Sequence, residues 1–368
     1  EFRLKRYPSQ PRETLQAYCS ADVLLLEALA DNSQITPSGT VLLINDEHGA
    51  LSIPARAGGF NTVLWTDSAL SQLAVRGNAL SCTLEEPMLV WSTNSPPAAP
   101  VVLMRVPKQL PYFEHQLAIL SSRLAPGTVV EIAGMDKHLS PRTGDIVERY
   151  LGATTRHRGQ RKARRFTVIA SGVKPPLPAK AHVRRYAIEA QHLTLQSLPN
   201  VFSGDRLDGG SQLLLRTLPQ IPPAREVVDL ACGNGVLGLA AIATGVTSSV
   251  TFCDESAMAI ESARRNCDQL AAVGDVKVQF HHGDGLLELA TKPDLILCNP
   301  PFHLHHVVDE FAGQRLLRQC ARALKPGGRL LLVANRHLKY APSLRRQFAR
   351  VERVTEDNRF VVWQAIAG

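Results

Sequence analysis

No apolar run in the 368-residue chain approaches the ~18 residues that a membrane-spanning helix needs. The opening segment EFRLKRYPSQ has basic residues but no apolar stretch behind them, so neither membrane insertion nor secretion is expected. A disulfide framework is missing too. The seven cysteines (19, 82, 232, 253, 267, 298 and 320) are odd in number, form no C-x-x-C pair and lie mostly in apolar stretches. They read as reduced core residues, which points to the cytoplasm. His303, His305 and His306 lack a Cys or carboxylate at ligand spacing, so no metal is expected.

One absence is local. Residues 156–185 hold ten Lys or Arg and no Asp or Glu, in a chain of formal charge +8. Six of the ten are Arg156, Arg158, Arg161, Lys162, Arg164 and Arg165. A self-repelling run of this kind suits a polyanion, and nucleic acid is the obvious one; the plainer alternative is a solvated surface segment. Phosphate contacts give affinity without sequence choice.

What is present is ordinary for a globular protein: 45% hydrophobic and 20% charged residues. The length argues for two domains at roughly 150 residues each. The two halves repeat one another. VLWTDSALSQLAVRGN (63–78) matches VTFCDESAMAIESARRN (250–266), each an apolar start, an Asp and a helical stretch ending in Asn. VVLMRVPKQL (101–110) and LAPGTVVEIAG (124–134) correspond to LILCNPPFHL (295–304) and LKPGGRLLLVA (324–334), and RRFTVIAS (164–171) to NRFVVWQAIA (358–367). Strand-like runs alternating with helical segments predict doubly wound α/β domains on mostly parallel sheets, each closing on a hairpin. The predicted domains are 1–172 and 181–368, joined by the Pro-rich stretch 173–180.

The second copy carries a ligand-binding turn. EVVDLACGNGVLG (226–238) reads as a strand, an acid at Asp229, a turn with Gly233 and Gly235, then a helix. Such a turn lets a ligand approach backbone N–H groups. Gly233, Gly235 and Gly238 also satisfy the dinucleotide fingerprint, so an NAD enzyme competes here with one using S-adenosylmethionine (SAM). Asp254 ends the next strand, where it could hold ribose hydroxyls or cap a helix. Asp284 follows a third strand, as an adenine contact or a turn acid. The deciding segment is Asn299-Pro300-Pro301-Phe302 after DLILC. An exocyclic amine is a poor nucleophile because its lone pair is delocalised. Acceptors at the Asn299 side chain and the Pro300 carbonyl would hold its N–H bonds out of plane, and Phe302 would offer a stacking face.

With these residues in view, the second half resembles class I SAM-dependent methyltransferases, through DLACGNG and NPPF. VFSGDRLDGGSQLLL (201–215), NPPFH and VANRHLKY (333–340) extend the resemblance over nearly the whole chain, to the bacterial ribosomal RNA guanine-N2 methyltransferases. NDEHGALS (45–52), RVPK (105–108) and VANRHL are closer to the large-subunit branch than to the small-subunit one. The resemblance implies two tandem Rossmann-like domains, the first degenerate. It also implies SAM held at Asp229, Gly233, Gly235, Asp254 and Asp284, and a guanine of 23S rRNA held at Asn299, Pro300, Pro301 and Phe302. Ala231 departs from the family's usual glycine.

In the first half, VLLINDEHGALS and RVPK stand where DLACGNG and NPPF stand in the second, so cofactor grip and amine acceptors are both missing. The expected role is RNA contact through Arg105, Lys108 and the 156–165 cluster, or structural support alone. Small-subunit rRNA, adenine N6, a protein glutamine amide and a non-catalytic RNA-binding assembly factor remain as alternatives.

Overall fold

The structure is a computed structural model; it describes residues 2–10, 13–32, 36, 38–172, 183–270, 274–300, 310–338 and 340–368, with side chains undescribed at 191 and 310–312. The Pro-rich stretch 173–180 and the site residues Pro301 and Phe302 lie outside these. The chain divides into two compact units, Glu1–His182 and Val183–Gly368.

The first unit runs α1 (Ser20–Ala30), β1 (Thr40–Ile44), α2 (Ser52–Ala57), β2 (Asn61–Thr66), α3 (Ala69–Ser81), β3 (Met88–Trp91) and β4 (Val101–Arg105). It continues through α4 (Leu110–Arg123), β5 (Val129–Met135), α5 (Thr143–Leu151), β6 (Thr154–Arg156) and β7 (Ala163–Ile169). Its sheet order is β3-β2-β1-β4-β5-β7-β6. All neighbours are parallel except β7, which runs antiparallel to both β5 and β6. Helices cover both faces. Leu42, Ile44 and Trp65 therefore pack one way, with Phe113 and Leu117, while Val41 and Leu43 pack the other, with Leu25. A strand buried on both faces has no polar alternation, which is why β1 reads as an unbroken apolar run.

The second unit opens with a hairpin, β8 (Arg184–Ile188) and β9 (Leu193–Ser197). Then come α6 (Gly209–Leu215), β10 (Ala224–Leu230), α7 (Val236–Ala243), β11 (Thr247–Asp254), α8 (Ala257–Asp268), β12 (Lys277–His282) and β13 (Leu295–Cys298). The chain ends with α9 (Glu310–Ala323), β14 (Arg329–Asn335), α10 (Tyr340–Gln347), β15 (Arg350–Glu356) and β16 (Phe360–Ile366). Its order, β12-β11-β10-β13-β14-β16-β15, repeats the first sheet strand for strand.

The repeat extends to single side chains. The Asn78 amide donates to the carbonyls of Lys5 and His48, both at 2.8 Å; the Asn266 amide donates to those of Gln196 and Asn234, both at 2.9 Å. Each therefore ties the turn after the central strand to an extended segment. Equivalence by strand pairing also corrects one detail of the sequence alignment. Helices α3 and α8 are capped by Ser68 and Ser256, and Ile44 pairs with Trp65 as Leu230 pairs with Cys253. Thr66, not Asp67, therefore occupies the place of Asp254. In both sheets the strand order reverses beside the first central strand, at β1/β4 and β10/β13. A crevice opens there at the carboxyl ends, where ligands bind in doubly wound sheets.

Candidate functional site

The turn after β10 is held in a conformation that side chains resist. Ala231, Gly233 and Gly235 have φ of +55°, +55° and +85°. Ala231 thus stands in the left-handed region at a cost of roughly 1–2 kcal/mol, the strain that a glycine would have spared. Among the described residues a Cβ at Gly233 would meet only Val201 Cγ1, at 3.8 Å, which leaves open space against this backbone. Gly235 and Gly238 serve packing instead. A Cβ at Gly235 would lie 3.0 Å from Ala263 Cβ, and one at Gly238 would lie 2.9 Å from Phe252 Cζ. The Gly235 N–H is also taken, by the Cys232 carbonyl at 2.8 Å.

Asp229 sits fully buried beneath the turn, with Oδ2 accepting from the Gly238 N–H at 2.8 Å. Its Oδ1 is buried without a partner among the described residues. Burial pushes its carboxyl up to about 8, only partly offset by the Gly238 N–H, and nearby Asp254 adds to the rise. Asp254 spans the crevice wall: Oδ2 accepts from the Gly233 N–H at 2.9 Å and Oδ1 from the Ser256 N–H at 3.0 Å. The helix cap considered for Asp254 belongs to Ser256, which accepts from the Ala259 N–H at 3.1 Å. Asp284 is buried and paired with Arg315 of α9, a partner 31 residues away that sequence reading missed. Burial raises the Cys232 thiol well above its ordinary range, in keeping with a packing residue.

Asn299 follows β13 directly, and Leu230–Cys298 pairing sets it beside the turn after β10. Its Nδ2 donates to Asp208 Oδ2 and to Ser211 Oγ, each at 2.9 Å. No donor reaches Oδ1 among the described residues. Pro300 behind it is buried. Asp208 and Ser211 lie in the quoted stretch VFSGDRLDGGSQLLL, yet sequence reading gave them no role. As the N-cap of α6, Asp208 looks like any helix-starting acid.

The corresponding places in the first unit keep the backbone and lose the chemistry. Asn45 (φ +61°) and Gly49 (φ +83°) reproduce the left-handed positions of Ala231 and Gly235. Leu43 replaces Asp229, Glu47 replaces Gly233, and Arg105 stands where Asn299 stands. The Arg105 guanidinium reaches Asp22, the third residue of α1, at 2.6 Å, and both side chains are largely buried. Arg105 is therefore an internal ion-pair member, which corrects its expected role as an RNA contact.

The basic cluster lies on β6, β7 and the turn between them. Acids from distant segments partner four of its six members. Arg156 meets Asp145 at 2.5 Å and Glu148 at 3.4 Å. Arg161 meets Glu27 at 3.1 Å, Arg164 meets Asp136 at 3.6 Å and Arg165 meets Glu131 at 3.5 Å. The charge is thus less bare than the sequence implies, although the pairs of Arg156, Arg161 and Arg164 are exposed and can exchange for phosphate, whereas Arg165 meets a buried Glu131. Arg158 and Lys162 have no side-chain partner among the described residues. Arg161 and Lys162 form a two-residue hairpin turn with φ of +51° and +61°, a conformation that Asn-Gly usually fills. Among the described residues no group of His, Cys, Asp and Glu could hold a metal, and no helix is long and apolar enough to cross a membrane.

Comparison with known proteins agrees with this division. The methyltransferase small domain model matches residues 192–364, and the RLMG N-terminal domain model matches residues 1–172. "Ribosomal RNA large subunit methyltransferase G" of Alcanivorax borkumensis is 37% identical over 377 residues, covering 99% of this chain and 94% of that protein. The protein of the same name from Pseudomonas aeruginosa (strain UCBPP-PA14) is 39% identical over 373 residues, covering 99% and 97%. Among solved structures, the T. Thermophilus 16S rRNA N2 G1207 methyltransferase (RsmC) in complex with AdoMet and Guanosine superposes with a TM-score of 0.79. It is 22% identical, with 99% of this chain and 95% of that one covered, a likeness that shows the fold. The fold is two tandem Rossmann-like methyltransferase units, the first degenerate. Matched along both halves by these models and along nearly its whole length by these relatives, the chain belongs to the ribosomal RNA large subunit methyltransferase G family.

Proposed function

We propose that the second unit transfers a methyl group from SAM to the exocyclic N2 of a guanine in large-subunit (23S) ribosomal RNA, in the cytoplasm. The observation that carries this reading is Asn299, placed at the crevice with its amide nitrogen engaged and its oxygen left as an acceptor. The residues present fit the cofactor: among the described residues, the Gly233 backbone faces open space, and the buried Oδ1 of Asp229 lacks a partner that an ammonium group would supply. Gly233 and Asp229 would shape the methionine side, with Gly235, expected there too, acting through the packing that holds the turn; Asp254 would take the ribose and Asp284 the adenine region.

When bound, SAM supplies an electrophilic methyl on its sulfonium. The protein's part is orientation. Asn299 Oδ1 and the Pro300 carbonyl accept hydrogen bonds from the two N–H groups of the amine, which turns the nitrogen lone pair toward the methyl; Pro301 and Phe302, which lie outside the described residues, are assigned to the same acceptor site by sequence alone. No side chain need act as nucleophile. The new N–C bond would form as the methyl's bond to sulfur breaks, leaving a neutral thioether, and the amine's proton would leave late, with solvent as a sufficient acceptor.

Large-subunit RNA is favoured because relatives named for it are 37–39% identical along the chain, against 22% for the 16S enzyme. The first unit is assigned to RNA binding through Arg156, Arg158, Arg161, Lys162, Arg164 and Arg165. The test is transfer of labelled methyl from SAM to deproteinised 23S and 16S rRNA in separate reactions, followed by nucleoside analysis. N2-methylguanosine from 23S RNA alone is the predicted result. Label in 16S RNA alone, or in no RNA, contradicts the proposal.

A further inference from the structure

We propose that Asp208 and Ser211 are positioning residues that set which end of the Asn299 carboxamide faces the substrate. The inference rests on the reading of Asn299 as the amine acceptor. The two ends of a carboxamide are nearly identical in shape and opposite in hydrogen-bonding sense. An Asn free to turn would present its NH2 group half the time, and an NH2 group opposes an amine donor where an oxygen accepts from it.

The surroundings remove that freedom. Asp208 Oδ2 accepts from three N–H groups at once: Gly210 at 2.9 Å, Ser211 at 3.2 Å and Asn299 Nδ2 at 2.9 Å. A carboxylate oxygen can only accept, so turning the amide would set oxygen against oxygen at Asp208, while the Ser211 hydroxyl, which can donate or accept, adds a second tether to the nitrogen end as long as Asp208 holds it there. The carboxylate is itself immobile, because it caps α6. That helix packs on β14 and β16. The approach is tight: a Cβ at Gly210 would lie 3.0 Å from Asp208 Oδ2 and 3.3 Å from Asn299 Oδ1. One at Gly209 would lie 3.0 Å from Phe360 Cε2.

The first unit supplies an independent view of the same contact. Asp22 is the third residue of α1, as Ser211 is of α6, and Arg105 stands in the place of Asn299. Asp22 and Arg105 meet at 2.6 Å. The helix preceding the central strand thus touches the residue after the fourth strand in both units. Where the amide is gone, its partner has become the acid of an ion pair.

The test separates positioning from helix capping. Asp208→Ser retains a good N-cap but is too short to hold Asn299, and Ser211→Ala removes the second acceptor without touching the cap. Each is expected to lower single-turnover kcat by about 10-fold to 100-fold, roughly the loss of one well-oriented contact in the transition state. SAM affinity and Tm should stay near wild type. Asp208→Asn, which keeps an acceptor oxygen, should recover part of the rate. In an Asn299→Ala background Asp208→Ser should cost nothing further, since its effect passes through Asn299. Wild-type kcat in both Asp208→Ser and Ser211→Ala, with Asn299→Ala inactive, overturns the inference alone. Full activity in Asn299→Ala overturns the reading of the site beneath it.

Discussion

At the residue scale, the glycines of the turn after β10 divide into two kinds that sequence cannot separate. Gly238→Ala would drive a methyl into Phe252, and overpacking of this kind costs about 1–3 kcal/mol. Gly233→Ala would enter the open crevice, with only the cost of a left-handed Ala, about 1–2 kcal/mol. Thermal melts and SAM titrations of the two variants should therefore diverge. Gly238→Ala loses mainly stability, whereas Gly233→Ala loses SAM affinity out of proportion to its Tm. Asp229 predicts a pH signature. Its buried carboxyl keeps a proton up to about pH 8, whereas the unfolded chain releases it near pH 4. Between these values the folded state binds the extra proton, so this group's contribution to stability falls as pH rises from about 4 to about 8 and is level above. Asp229→Asn lacks that slope, and its Tm relative to wild type should rise between pH 6 and pH 9. Parallel Tm curves would show that Asp229 does not titrate in this range.

At the scale of elements, the hairpin turn between β6 and β7 carries a backbone preference at odds with its residues. Arg161→Asn with Lys162→Gly should relieve two left-handed side chains and raise Tm by a degree or two. If the turn meets RNA, the same change weakens RNA binding. Arg158→Ala with Lys162→Ala, which removes the two members without side-chain partners, should lower the slope of log K against log salt by about 1–2 units and leave SAM binding intact. An unchanged slope would place the RNA elsewhere. The central strands were legible because they are buried on both faces, so β1, β4, β10 and β13 stand out as apolar runs. The partners of Asn299 and Arg105 were not. Asp208 and Ser211 lie 91 and 88 residues from Asn299, and Asp22 lies 83 from Arg105. Short polar residues at a helix start look alike whether or not a distant chain segment meets them. The ion pairs of the 156–165 cluster were hidden for the same reason: its acids come from α1, β5, α5 and the residue after β5.

At the scale of the molecule, one architecture is used twice with different consequences. The seven-strand order, the left-handed turn after the central strand and the Asn78/Asn266 tie survive in both units. Leu43, Glu47, Thr66 and Arg105 in the first unit stand where the second has Asp229, Gly233, Asp254 and Asn299, four of the groups proposed for SAM and the amine. Calorimetric titration should therefore find one SAM per chain, and two would contradict a degenerate first unit. The central claim is that Asn299 orients the acceptor amine rather than building the cofactor site. Its most direct test compares wild type with Asn299→Ala in single-turnover methyl transfer to deproteinised 23S rRNA at saturating SAM, with SAM affinity measured on the same preparations. The account predicts a rate lower by about 100-fold or more, the scale of a lost oriented electrostatic contact, with SAM affinity unchanged. An undiminished rate, or a loss of SAM binding that accounts for the whole effect, would contradict it.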